Sequence, residues 1–190
     1  MPAAASTRQE ELRDGVVALF LAEGFRHLTL NDLSGRLHCS KSTLYALGDT
    51  KDDLVGNAVR RFFARATAEV EARTAEAGED PGARVLAYLT GVADALRPAS
   101  EAFMADVAAH PTARAVYARN TEAAAARVRE LIDAGVASGA FRAVHAAFVA
   151  DTVAATMARV QAGEVGRATG LSDAEAYEEL AGLVLRGVLG

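Results

Sequence analysis

"CSKSTLYALGDTKDDL", residues 39–54, holds a Ser, a Lys, two further hydroxyls, a Tyr, a Gly and a second Lys. Lys41 and Lys51 are the only lysines of the chain; every other long cation is Arg. Ser40 suits the cap of a short helix over about Lys41 to Leu47, with Gly48 just past its end. Thr50-Lys51-Asp52-Asp53 has the spacing of a capping box. It predicts a long helix through Leu54, Ala58, Phe62 and Phe63 to about Ala77. On the short helix, Lys41 and Tyr45 are four apart and share a face. Leu44 and Leu47 fall on the other side and can pack inward. Ser40, Lys41, Ser42 and Thr43 are short donors and one long cation, the types that meet phosphates and base edges. The N–H groups of a helix start add to that. Lys51 sits at a helix start, where a cation is mildly unfavourable. An outside anion explains that placement better.

Upstream, Thr29 with Asp32 three residues on predicts another short helix, ending near Leu37. Two short helices joined by a three- or four-residue turn form a helix-turn-helix, whose second helix enters the DNA major groove. Before it, Thr7 and Glu10 have capping-box spacing, Leu12, Val16, Leu19 and Phe20 mark one helix face, and Gly24 is a stop. Downstream, Pro81 suits a first helical position, with a helix to Arg97 before Pro98. Further helices fit Ser100 to Ala109, Pro111 to Ser138, about Val144 to Ala162, and a last one capped by Ser172 and Glu175. No useful strand alternation and no internal repeat appear. The expectation is an all-α fold of about nine helices.

The 190 residues, 51% hydrophobic and 24% charged, match a soluble globular chain of one unit or two small subdomains. A single cysteine leaves no internal disulfide and fits a reducing compartment. The start carries no basic segment followed by an apolar run, so no signal peptide is expected. Residues 143–162 are mostly apolar but contain Asp151 and Arg159, which reads as a buried helix, not a membrane span. A cytoplasmic protein is expected. Formal net charge is −5, and residues 1–61 are neutral, with eight Lys/Arg against eight Asp/Glu. Bulk charge therefore supplies no basic patch, and DNA binding must rest on local geometry.

Residues 28–54, "LTLNDLSGRLHCSKSTLYALGDTKDDL", resemble the DNA-binding domain of tetracycline-repressor (TetR) family transcription regulators. The shared features are Thr29 opening the second helix, an apolar then a small residue at Leu33 and Ser34, and Ser40 before the recognition helix. The Leu44-Tyr45 pair follows, then Lys51 six residues beyond the Tyr. The preceding "GVVALFLAEGFRHLT" is similar to the family's first helix and its Gly-aromatic exit. The likeness covers about residues 7–61; beyond that, only helix count and rough lengths agree. It implies a DNA-binding domain at 1–50, with Thr29, Ser40, Lys41, Ser42, Thr43, Tyr45 and Lys51 at the DNA. It also implies an effector-binding and dimerisation domain at 51–190, with a homodimer through the last two long helices. Two positions depart from the family pattern. His38 stands where a turn Gly is usual, at a site that often needs positive φ, and His is among the few other types found there. Gly48 stands where a bulky apolar residue is usual, which removes a core plug.

Aromatic and polar residues in the central helices are candidates to line an effector cavity: Phe62, Tyr88, Phe103, Met104, Tyr117, Asn120, Phe148, Asp151 and Thr152, with Met157. Each alone reads first as ordinary core. Asn120 and Asp151 stand out because each lies in an otherwise apolar helix, where a polar group needs a partner. The last helix, with Leu180, Leu183, Val184, Leu185 and Val188, is apolar over more than one face and calls for cover from a second copy. Cys39 reads as a small buried hydrophobe and not a redox sensor. The Arg60-Arg61 pair reads as a solvated face. His27, His38, His110 and His145 have no metal-like spacing, so neither metal nor cofactor is expected. The leading expectation is a dimeric repressor released from its operator by a small molecule. The alternatives are a DNA-binding adaptor without effector, and an all-α enzyme. The enzyme is disfavoured because no nucleophile-base pair, phosphate loop or metal cluster is present.

Overall fold

Among the described residues, the apolar runs with three- and four-residue spacing that mark the expected helices form helices. A computed structural model describes the backbone of residues 2–142 and 144–188 and the side chains of residues 8–142 and 144–187. Ten helices occur among them. They are α1 (Pro2–Glu23), α2 (Leu30–Arg36), α3 (Lys41–Tyr45), α4 (Lys51–Glu76), α5 (Pro81–Leu96), α6 (Glu101–Ala109), α7 (Pro111–Ala137), α8 (Ala146–Gln161), α9 (Glu164–Thr169) and α10 (Asp173–Val188). The helix beyond the expected nine is α9. It spans six residues and has no side-chain cap, so it carried neither of the signals used to place the others. The Thr7 side chain, the cap expected for α1, lies outside the described residues, as does that of Val188. No described helix is long and apolar enough to cross a membrane.

The chain forms two units. The first comprises the chain up to Ala64 with Pro98–Val116, and the second Arg65–Arg97 with the chain from Tyr117 onward. In the first unit, Val16 and Phe20 of α1, Leu33 of α2, Leu44 of α3, Leu54, Val55 and Val59 of α4, and Phe103 and Val107 of α6 are buried. Aromatic rings join these elements. Phe25 lies 5.5 Å from Phe20 and 6.1 Å, edge-on, from Phe103; Phe103 in turn meets Phe62 edge-on at 5.8 Å. Such pairs contribute about 0.5–1.5 kcal/mol each beyond their buried area.

In the second unit, α10 packs against α5 and, less extensively, α8. Val85, Tyr88 and Leu89 of α5, Val128 and Ile132 of α7, Val153 and Met157 of α8, and Tyr177 and Ala181 of α10 are buried. The last helix is less bare than its sequence suggests. Leu180 and Val184 are buried within the protomer, and of its described large apolar side chains only Leu183 is exposed, at 64%. One of the two faces expected to need outside cover is thus covered within the chain.

Candidate nucleic-acid interface

Residues 28–54 fold as two capped helices around a tight turn. Thr29 caps α2 through a reciprocal box: its hydroxyl accepts from Asp32 N–H, and the Asp32 carboxylate accepts from Thr29 N–H at 2.8 Å and from its hydroxyl at 2.6 Å. These bonds hold the Asp32 carboxyl below its ordinary pKa. The turn then reverses at His38, whose φ of 49° makes it the one described non-glycine residue in the left-handed region. That is the conformation expected where the family pattern has Gly. Cys39 donates its N–H to the Ser34 carbonyl at 3.1 Å, and the Ser34 hydroxyl donates back to the Cys39 carbonyl. The Cys39 side chain is half-buried, not fully buried as expected, and burial pushes its thiol pKa up. Less thiolate means less redox reactivity.

Ser40 caps α3, accepting from Thr43 N–H at 3.2 Å. The same hydroxyl is 2.7 Å from both the Ser42 and the Thr43 hydroxyls. Three of the expected DNA contacts therefore form one small hydroxyl cluster. Lys41, Ser42 and Thr43 are exposed, and Tyr45 is 47% exposed, while Leu44 is 1% exposed against the core. The helix thus presents the face expected from its spacing. Asn57 of α4 donates to the Leu47 carbonyl at 2.7 Å and ties down the segment just past α3. Gly48 is the second departure from the family pattern, and it has a steric cause. A Cβ there would lie 2.5 Å from the Leu54 nitrogen and 2.9 Å from the Asp53 carbonyl carbon. Backbone meets backbone where a side chain was expected to plug a gap.

The placement of Lys51 has a cause inside the chain. Its Nζ donates to the Arg26 carbonyl at 3.1 Å. Three ammonium donors leave two more for an outside acceptor. Neither neighbouring acid neutralises it: Asp53 accepts from the Thr50 N–H and hydroxyl, and Asp52 faces His110 Nε2 at 3.4 Å. Residues 39–54 carry two lysines and three aspartates, a formal −1. Position and not net charge distinguishes this face.

The candidate effector residues fall in different settings. Phe62 and Phe103 are buried in the aromatic cluster of the first unit, and Met104 beside them in sequence is half-buried. In the second unit Tyr88 and Tyr117 are buried, and Tyr117 donates to Asp173 at 3.0 Å. Asn120 is half-buried and accepts from the Thr67 hydroxyl at 3.1 Å. That supplies the partner its sequence context demanded. Asp151 is exposed, so water solvates it and the demand does not arise. Phe148, at 69% exposure, and exposed Thr152 lie on α8 and line an apolar groove of about 390 Å³ with Val165, Leu171, Leu180 and Leu183. The contacts of Asn57, of Asp173 and of the Arg26 carbonyl were not foreseen. Backbone acceptors and pairings distant in sequence leave no local pattern.

No family model and no curated protein matches the sequence. Solved structures do match. A transcriptional regulator from Saccharomonospora viridis in complex with choline is 18% identical, over 97% of this chain and 99% of that one, with a TM-score of 0.73. A TetR transcription regulator from Haloarcula marismortui is 18% identical, over 97% and 100%, with a TM-score of 0.69. A TetR/AcrR-family regulator from Thermobifida fusca is 19% identical, over 95% and 98%, with a TM-score of 0.66. Over 95% or more of its length, the chain has a TetR-like fold.

Proposed function

We propose that the chain is a DNA-binding transcriptional regulator, in which α3 enters the major groove. The observation that carries this is the split of α3: Lys41, Ser42, Thr43 and Tyr45 face outward while Leu44 anchors the helix in the core. A polar turn with no partner does not need an exposed Tyr on the same face as its one Lys. Lys41 with Ser42 or Thr43 reads base edges, and Thr29, Ser40, Tyr45 and Lys51 meet the backbone. Residues 1–50 form the DNA-binding part and 51–190 the effector-binding and dimerisation part. The protein works as a homodimer, because two recognition helices must stand about 34–36 Å apart, or a multiple of that, to enter successive grooves. The groove beside Phe148 and Leu183 on α8 and α10 is where the second copy docks.

A small molecule held among the central helices, with Tyr88, Tyr117 and Asn120 among the contacts, favours a dimer whose spacing no longer fits DNA. The choline complex of the Saccharomonospora viridis regulator supports a small-molecule effector of this kind. On this reading the protein is a cytoplasmic repressor and not an enzyme. Selection of operator sequences from a random duplex pool, followed by titration with and without candidate effectors, tests it. Failure to enrich any sequence would overturn the DNA-binding reading; an operator whose affinity no small molecule lowers would leave a regulator without effector.

A further inference from the structure

Helix α6 grips the exit of α1 at three points, all within the first unit. Ser100 N–H donates to the Leu21 carbonyl at 2.8 Å, which satisfies a carbonyl left open at the end of α1. Asp106 Oδ2 accepts from Phe25 N–H at 2.6 Å and from Arg26 N–H at 2.8 Å. Phe103 of α6 packs edge-on against Phe25. Asp106 comes this close because residue 24 is Gly: a Cβ there would lie 2.6 Å from the same carboxylate oxygen. Arg26 is then held from both sides, its N–H by Asp106 and its carbonyl by the Lys51 ammonium at 3.1 Å.

We infer that Asp106 is a positioning residue for the DNA contact of Lys51, acting through the backbone of Arg26. The inference rests on the proposed DNA-binding role. A lysine side chain has four rotatable carbons and loses much freedom when it is fixed. The Arg26 carbonyl fixes it beforehand, and that carbonyl stays in place because the N–H of the same residue is tied to a carboxylate by a charge-assisted bond. Asp106 touches no DNA in this scheme; it sets where the ammonium waits.

The test is a double-mutant cycle on the full chain, read by titrating a labelled duplex of mixed sequence at several salt concentrations. Asp106→Ala should weaken binding roughly fivefold. It should also lower the salt slope towards that of Lys51→Ala, a change of about one unit. In the Lys51→Ala background, Asp106→Ala should have no further effect. Asp106→Asn keeps the shape and one acceptor oxygen, so it should recover most of the affinity. It carries the same cycle if Asp106→Ala does not fold, with a smaller loss that again vanishes when Lys51 is absent. If Lys51→Ala binds as wild type does, the DNA role of Lys51 fails and the inference with it. If Lys51→Ala weakens binding but the Asp106 variants either have no effect or cost the same factor in both backgrounds, the inference alone is overturned.

Discussion

The Tyr117 hydroxyl donates to a carboxylate oxygen of Asp173 across 3.0 Å, tying α7 to the first turn of α10. Burial pushes the Asp173 carboxyl pKa up, and the bond from Tyr117 opposes this only in part. Burial also pushes the Tyr117 phenol well above its ordinary value, with the nearby Tyr177 and Asp173 adding to the shift. The pair therefore prefers neutrality in the folded chain.

The sign of the pH effect follows. A carboxyl whose folded pKa exceeds its unfolded value of about 3.9 binds its proton more tightly when folded. Its stabilising contribution is complete below that unfolded value and is lost as pH rises through the folded one. Asp173→Asn removes the ionisation while its amide oxygen still accepts from Tyr117. Its melting temperature should exceed wild type at neutral pH, and the advantage should shrink as pH falls to about 4. A difference that stays constant across the acid range would contradict this.

Gly48→Ala should destabilise the chain. Elsewhere on a helical backbone, Gly→Ala usually stabilises by about 0.4–1 kcal/mol through the unfolded state. Here the new methyl would lie 2.5 Å from the Leu54 nitrogen, a backbone atom that cannot swing aside. Forced shifts of this kind cost about 1–3 kcal/mol. Urea denaturation measures the loss, and a more stable Gly48→Ala variant would show that the two segments have room to part.

Phe148→Glu combined with Leu183→Glu should yield a folded monomer. Both side chains are exposed in the protomer, so charges there cost little to the single chain. In a dimer seam they would be buried without partners. Sedimentation velocity should show the loss of dimer, and operator affinity should fall with it. Val184→Glu serves as contrast: Val184 is 7% exposed, so that change should unfold the protomer itself. A double variant that remains dimeric would place the seam elsewhere.

Lys41→Ala should relax the sequence preference at one or two operator positions, at about 1–3 kcal/mol each. Tyr45→Phe should weaken all duplexes alike, because a phosphate contact carries no sequence information. Operator selection with each variant separates these two roles, and an unchanged preference for Lys41→Ala would remove it from base reading.

Most of the helix pattern was legible because its signals are local. Ser40, Thr29 and Ser100 each accept a bond from the N–H three residues on, and each stands at the start of a helix expected there; Pro81 opens its helix as expected, behind an Asp80 cap that was not foreseen. The turn at His38 was legible for the same reason. Gly48 was misread because a close approach of two backbones lies in the tertiary arrangement, and the sequence shows only a missing side chain. Asp151 was misread because an apolar helix in sequence does not say which of its faces meets water. Lys51 shows both sides of this. Its position was evident from spacing, but its partner is the Arg26 carbonyl, an atom that every residue type possesses.

On the proposed DNA-binding reading, the hydroxyl cluster of Ser40, Ser42 and Thr43 bears on how the protein would search a genome. In the free chain the Ser40 hydroxyl is bonded to both of the others; if α3 meets DNA as proposed, a mismatched duplex would leave those bonds intact and meet chiefly Lys41 and Lys51, whose charge is indifferent to sequence. At a matched site, each hydroxyl that turns outward gives up an internal partner and gains an external one. Arrival then needs no exchange of partners and should be equally fast on any duplex. The exchange of partners occurs only after arrival, so right and wrong sites should differ in residence time, and stopped-flow association rates on the two should coincide while dissociation rates diverge.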